Sequence, residues 1–305
     1  MKTTAPIIPI RSGSEPPHVI APESATTFAN RALRFEQLAE GHSLGDWLCF
    51  LAAITHAQHE ALQRLPVLSL PDAGQLARAR AHGMPPLPAQ AWPRDPAWHG
   101  SLRQMAAAIA MAAPEAARRD LARLAGFDPE RIEALAERVL HTELYGEDAA
   151  LLPYVAAALQ VLWTAGAARV GVDHIAPLDV PGVCPCCGFL PVASLVRGAG
   201  EVGNLRYLHC ALCNTEWNLV RVKCSSCGAT EGISYRHLEA EGLRTAGAVR
   251  AETCDACRSY LKIVYSERDA VDPVADDLAT LALDILVDEA GYTRSGPNLL
   301  LVPGG

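Results

Sequence analysis

The sequence lacks a surplus of basic residues: 26 Lys+Arg stand against 34 Asp+Glu, a formal net charge of -8. Phosphate neutralisation needs a cationic surface, so the charge argues against a general nucleic-acid binder. It also lacks an export-type apolar run near its start. In MKTTAPIIPIRSGSEPPHVIAP, Pro6 and Pro9 interrupt the short apolar stretch, Arg11 ends it, and no twin-arginine pair is present. The expected compartment is therefore the cytoplasm, with residues 1–24 an extended arm. Cysteine is nearly absent before residue 184, where only Cys49 occurs. No GxGxxG, Walker loop or nucleophile elbow stands in a credible context, so no catalytic residue is assigned.

Charge is missing from one internal stretch as well, Ala149 to Ala168. That length approaches a membrane span. Pro153, Tyr154, Gln160, Thr164, Gly166 and many alanines argue instead for a buried helix and against membrane insertion.

What is present divides in two. Residues from about 25 to 175 read as helices. Ser43 with Asp46 three positions on resembles a capping box. Leu44, Trp47, Leu48, Leu51, Ile54 and Leu62 then recur at helical spacing. Leu102, Met105 and Ile109 repeat that pattern. Asp128-Pro129 reads as a helix start, followed by an Ile132, Leu135, Val139 stripe. Cys49, between Leu48 and Phe50, is expected in the core. His56, His59 and Glu60 match no zincin arrangement and read as a solvated face.

Near Pro177 the character changes to glycines, cysteines and short β-type runs. Trp217–Lys223 and Tyr260–Tyr265 read as strands. Asp272-Pro273 starts a last helix, with Leu278, Leu281 and Ile285 inward and Gly291 as its C-terminal stop. Asp276 and Asp277 would offset its dipole. An isolated helix of that length is marginal, so it is expected to pack back on the body.

Nine of the ten cysteines fall between Cys184 and Cys257, and eight form four Cys-x-x-Cys pairs. Cys184 to Cys224 spans 40 positions, as does Cys187 to Cys227; Cys210 to Cys254 spans 44, as does Cys213 to Cys257. The module is an internal duplication. Two Cys-x-x-Cys turns supply four thiolates to one tetrahedral ion, so two metal sites are expected. Sequential pairing gives Cys184, Cys187, Cys210, Cys213 and then Cys224, Cys227, Cys254, Cys257. It is preferred because each repeat then closes its own site; an interleaved arrangement is the alternative. Gly188, Gly228 and Asn214 follow three of the pairs and suit a left-handed turn. Arg258 follows the fourth, which is expected to differ in shape. Cys186, inside CPCC, is an accessory thiol, and His209 beside Cys210 reads as a strand residue. Four sulfurs alone do not separate zinc from iron.

The segments CPCCGFLPVASLV, RYLHCALCNTEWNLVRVKCSSCG, AETCDACRSYLKIVY and ADDLATLALDILVDEAGYTRSGPN together resemble the FdhE family of formate dehydrogenase accessory proteins. The resemblance runs from about Pro181 to the C-terminus. The family usually has a small or apolar residue where Cys186 stands. It implies a cytoplasmic assembly factor for respiratory formate dehydrogenase, not itself an enzyme. Its implied partner is the dehydrogenase catalytic subunit, with self-association open as a further contact. The expected fold is α+β: an all-α domain (1–178), two rubredoxin-like modules (179–222 and 223–270), and a C-terminal helix and tail (271–305). The implied ligands are the eight paired cysteines, with iron the usual metal and zinc the alternative. The other readings are a rubredoxin-like electron carrier and a zinc-ribbon nucleic-acid binder.

Overall fold

The computed structural model describes residues 17–197, 205–238, 248–266 and 271–301; most of the arm, residues 1–16, lies outside them. Helices α1 (Thr27–Ala39), α2 (Gly45–Arg64), α3 (Ala73–Ala81), α4 (Ala97–Ala110), α5 (Glu115–Ala125), α6 (Pro129–Leu140) and α7 (Leu152–Val170) form the first half. α7 is apolar all round because it runs through the middle of the core, with 16 of its 19 residues buried. The span Ala149–Val170 is long and apolar enough to cross a membrane, yet 83% of its most apolar window is buried inside the fold. It is a core helix. Gly166 permits a close approach, since a Cβ there would sit 2.9 Å from Leu87 Cδ1 and 3.1 Å from Trp92.

Two expectations about helix starts resolve differently. Asp128 accepts from the Arg131 amide with Pro129 in the first turn, as the sequence indicates. Ser43 caps nothing. α2 begins two residues later at Gly45, with Leu44 at the cap position and exposed, and the Leu44 amide donates to His42 Nδ1 at 3.0 Å. The reciprocal capping box lies at Asp72 and Gln75, opening α3. Cys49 is also a correction: it is exposed. Chain neighbours on a helix stand about 100° apart, so buried Leu48 on one side says nothing about Cys49. His56 pairs with Glu36 on the surface at 2.8 Å and Glu60 with Arg64, solvated as expected, whereas His59 is half-buried with its Nδ1 buried and unpartnered.

Among the described residues, seven strands of the second half and one from the N-terminal segment form a single eight-stranded sheet. Its strands are β1 (Val19–Ile20), β2 (Pro191–Arg197), β3 (Arg206–Cys210), β4 (Glu216–Asn218), β5 (Ile233–Arg236), β6 (Val249–Cys254), β7 (Ser259–Ser266) and β8 (Thr293–Arg294). The order is β1-β4-β3-β2-β7-β6-β5, with β8 beside β7. The duplication is visible in this order. β2, β3 and β4 are antiparallel neighbours, as are β5, β6 and β7, and the two triplets join through parallel β2 and β7. The second predicted strand matches β7. The first shortens to β4, because Arg221–Lys223 bend away after Asn218.

The last helix is two helices, α8 (Pro273–Leu278) and α9 (Leu281–Glu289), broken at Ala279-Thr280. Asp272 caps α8 by accepting from the Val274 and Ala275 amides. The break rotates α9, so Leu283 and Val287 are buried and Ile285 is exposed. Gly291 ends α9 at φ +81°. Asp276 stands in the first turn of α8, as expected, and both Asp276 and Asp277 are fully buried in ion pairs. Asp276 holds Arg34 at 2.6 Å. Asp277 holds Lys262 at 3.3 Å and Arg294 at 2.8 Å. Burial opposes ionisation of Asp277, but the two cations outweigh it and hold its carboxyl below the usual range.

Arg31 ties all three parts of the chain together. Its Nε donates to both Asp272 oxygens at 2.9 and 3.0 Å, and a terminal nitrogen donates to Asn214 Oδ1 at 2.8 Å. Its side chain is fully buried. Arg31→Met is expected to lower stability by about 3–5 kcal/mol, because Asp272 and Asn214 lose their buried partner. Urea denaturation followed by tryptophan fluorescence measures it, and a loss under ~1 kcal/mol would show the network to be dispensable.

Candidate metal centres

The four Cys-x-x-Cys turns share one backbone device. The residue after each second cysteine, or after the turn it closes, has left-handed φ: Gly188 +73°, Asn214 +59°, Gly228 +76° and Arg258 +57°. In three turns this residue's amide closes back onto the first cysteine's carbonyl: Gly188 to Cys184 at 2.7 Å, Gly228 to Cys224 at 3.1 Å, Arg258 to Cys254 at 2.9 Å. Amides also reach sulfur. Leu212 and Cys213 donate to Cys210 Sγ, and Ser226 donates to Cys224 Sγ, each at 3.4 Å. Such donors stabilise thiolate charge and orient the ligand.

The fourth turn therefore has the shape of the others, contrary to the expectation for Arg258. A left-handed L-residue costs roughly 1–2 kcal/mol, and the Arg258 side chain offsets it by tying to the tail. Its guanidinium lies 3.9 Å from the Tyr292 ring centroid and donates to the Ala290 and Gly291 carbonyls at 2.9 and 3.2 Å.

The sulfurs gather in sequential order. Cys184, Cys187, Cys210 and Cys213 form one group and Cys224, Cys227, Cys254 and Cys257 the other, each with all sulfurs within 4.8 Å. Cys184–Cys213 and Cys187–Cys210 are 3.5 and 3.4 Å apart. Cys224–Cys257 and Cys227–Cys254 are both 3.7 Å. A tetrahedron with metal–sulfur bonds of about 2.3 Å has edges of about 3.8 Å, so each group can hold one ion.

The surroundings differ sharply. The first group is 0–1% exposed and belongs to the main hydrophobic core. Its turns are fastened to the helical half through backbone and amide groups. Leu87 donates to the Cys186 carbonyl at 3.0 Å and Ala89 to the Cys187 carbonyl at 2.8 Å. Gln160 on α7 donates to the Ala211 carbonyl at 2.7 Å and is itself held by Gln58 at 2.8 Å. Asn214 donates to Thr164 at 2.8 Å. In the second group Cys224 and Cys254 are buried, but Cys227 and Cys257 are exposed.

Burial pushes the Cys184 and Cys187 thiols well up. It opposes ionisation of Cys213 too, but hydrogen bonds from the neighbouring thiols outweigh it and bring Cys213 well down. In the second group, burial raises Cys254 to about 12. Burial opposes ionisation of Cys257, yet hydrogen bonds from Ser259 bring it down to about 7.

Cys186 is fully buried and its thiol lies against Cys213; the hydrogen bond to Cys213, with burial, raises it well above its ordinary value. His209 stands in a polar cluster outside the sulfur groups, its Nε2 3.1 Å from Asn214 Oδ1 and its Nδ1 3.4 Å from Glu216. Burial opposes ionisation of Glu216, but His209 and Arg197 hold its carboxyl below the usual range. These residues, with Thr26, Asn30 and Asp272, line a polar cleft of about 300 Å³ between α1 and the sheet. Sequence reasoning missed this cleft, because its walls come from four distant segments.

Profiles described as FdhE, N-terminal, FdhE, central domain and FdhE, C-terminal domain match residues 16–179, 183–221 and 222–301. A Protein FdhE homolog from Pseudomonas aeruginosa is 40% identical over 292 residues, covering 95% of this chain and 94% of that one. One from Edwardsiella ictaluri is 43% identical over 304 residues, covering 96% and 95%. The crystal structure of the FdhE protein from Pseudomonas aeruginosa superposes with a TM-score of 0.84 at 38% identity, covering 95% of this chain and 100% of that chain.

Gly188→Ala is expected to cost about 1–2 kcal/mol, since alanine would be forced left-handed with its Cβ 3.2 Å from Pro85 Cγ. Thermal or urea unfolding of the full chain checks this; an unchanged midpoint would show that the turn can open without strain.

Proposed function

The chain belongs to the FdhE family, and we propose that it is a cytoplasmic, chaperone-like accessory factor for maturation of respiratory formate dehydrogenase. In this reading it binds the dehydrogenase catalytic subunit and catalyses no reaction of its own. The observation that carries it is the pair of four-cysteine groups, set in a fold that matches an FdhE crystal structure over 95% of the chain. Cys184, Cys187, Cys210 and Cys213 would hold one ion, and Cys224, Cys227, Cys254 and Cys257 the other. The metal is read as iron in rubredoxin-like modules, with zinc the alternative, since four thiolates accept either.

The division of labour follows from the packing. The helical half and the sheet present a fixed body, and the second cysteine group lies at its surface. A rubredoxin-like electron carrier is the second reading, favoured by solvent-facing Cys227 and Cys257. It requires iron, whereas an accessory role works with either metal. Cys186 is treated as an accessory thiol, because four other sulfurs complete its neighbouring group.

Two measurements test these statements. Anaerobically purified protein should carry two metal ions per chain, and Cys186→Ala should keep both. A visible band that bleaches reversibly on reduction identifies iron; a colourless zinc protein removes the electron-carrier reading. In a strain lacking its own accessory protein, the wild-type chain should restore formate dehydrogenase activity and co-purify with the catalytic subunit. A folded variant with all eight ligand cysteines replaced should do neither. Full rescue by that variant would end the metal-based reading.

A further inference from the structure

The two sulfur groups have the same ligands and the same turn geometry but opposite relations to solvent. All four sulfurs of the first lie in the main core. Both of its turns are held from outside by helical-half groups: Leu87, Ala89, Gln160 and Thr164. An incoming donor reaches that group only after the helical half separates from the turns. Separation would expose α7, which is buried all round, and break several buried hydrogen bonds at once.

Among the described residues, the helical half gives the second group no such cover. Its cysteines lie outside both hydrophobic clusters of the fold. Cys227 and Cys257 face solvent, one from each turn. In the turn from Cys224 to Cys227, Ser226 is exposed and Gly228 half-exposed, while Ser225 is buried with its carbonyl tight against Gly182. Arg206 donates to the Lys223 carbonyl at 2.9 Å just before this turn. The tail braces the other turn: Tyr292 donates to Asp255 at 2.6 Å, and Arg258 reaches Ala290 and Gly291. Arg221 and Arg258 are exposed and Lys223 is half-exposed beside these turns, with the Lys223 side chain 3.6 Å from where a Cβ on Gly228 would stand. Asp255, 3.7 Å from Arg258, offsets part of this charge. A divalent ion on four thiolates carries a net charge of -2, which these cations offset at the exposed side of the group.

We infer that the two centres have separate tasks: the Cys184/Cys187/Cys210/Cys213 centre is a permanent rivet between the helical half and the sheet, and the Cys224/Cys227/Cys254/Cys257 centre exchanges its ion with external thiolate donors. The inference rests on the reading that both groups hold metal. In the exchange the ion leaves as a divalent cation bound by the incoming donors. The four thiolates left behind take up protons from solvent, and no electron moves. Cys227 and Cys257 are the ligands that open first, because an attacking donor can approach the ion only along their exposed side.

The test uses the full chain loaded with zinc and an excess of the chelator 4-(2-pyridylazo)resorcinol at neutral pH. Two equivalents should be released in two phases, the second about tenfold slower or more. Cys227→Ser should remove the fast equivalent and leave the slow phase unchanged. Gln160→Leu should quicken only the slow phase. Timed alkylation with iodoacetamide on wild-type protein, read by peptide mass, needs no variant: Cys227 and Cys257 should be modified after Cys49 but well before Cys184, Cys187, Cys210 and Cys213. Release of both ions in one phase, or simultaneous alkylation of both groups, overturns the inference while leaving the metal reading intact. A chain that binds no ion overturns both.

Discussion

The structure depends on the seam where the first pair of cysteine turns meets α7. A small module built around one ion has little apolar core of its own. Here the core is borrowed: Cys184, Cys187, Cys210 and Cys213 lie in the same hydrophobic cluster as Leu159, Leu162 and Trp163. Polar groups at such a seam must be matched or the burial becomes unfavourable. Gln58, Gln160, Thr164 and Asn214 do the matching, each bonded to a group across the boundary or to another member of the chain. Arg31 extends this network to Asp272, so the cap of α8 depends on the same seam.

This coupling explains why a duplicated sequence does not produce two equivalent modules. The repeats share a topology, β2-β3-β4 echoed by β5-β6-β7, and join into one sheet through β2 and β7. Only the first repeat meets the helical half through its cysteine turns. The second is braced by the tail, through Tyr292 and Arg258. Identical ligands therefore acquire different access to solvent from their neighbours, without any change in the spacing of the cysteines. Metal-site function is set as much by surrounding shell as by ligand identity.

Much of the site was legible because Cys-x-x-Cys spacing is a local property. The turn, the left-handed residue after it and the 40- and 44-residue offsets can all be read along the chain. Arg258 misled because residue preference ranks glycine above arginine at positive φ, while the contact with Tyr292 that offsets the strain is remote in sequence. Cys49 and Ile285 misled for a related reason. Helical periodicity gives the angle between residues but not where the core lies, and the break at Thr280 resets that angle. The burial of Asp276 and Asp277 could not be read along the chain, because their partners Arg34, Lys262 and Arg294 lie on other elements.

The sequence by itself determined the helical half, the start of α6 at Asp128, the buried nature of α7, the duplication and the composition of eight paired thiols. These follow from periodicity, capping chemistry and ligand spacing, which act over a few residues. The duplication favoured sequential gathering of the sulfurs, and the structure shows it; tertiary structure alone decided that one group is buried while two cysteines of the other are exposed, and that Cys186 lies beside Cys213. Those outcomes depend on which surfaces meet after the chain folds back on itself. The early scarcity of cysteine has a counterpart here: the cysteine-poor half contributes no ligand, yet it provides the packing that makes the two sulfur groups unequal.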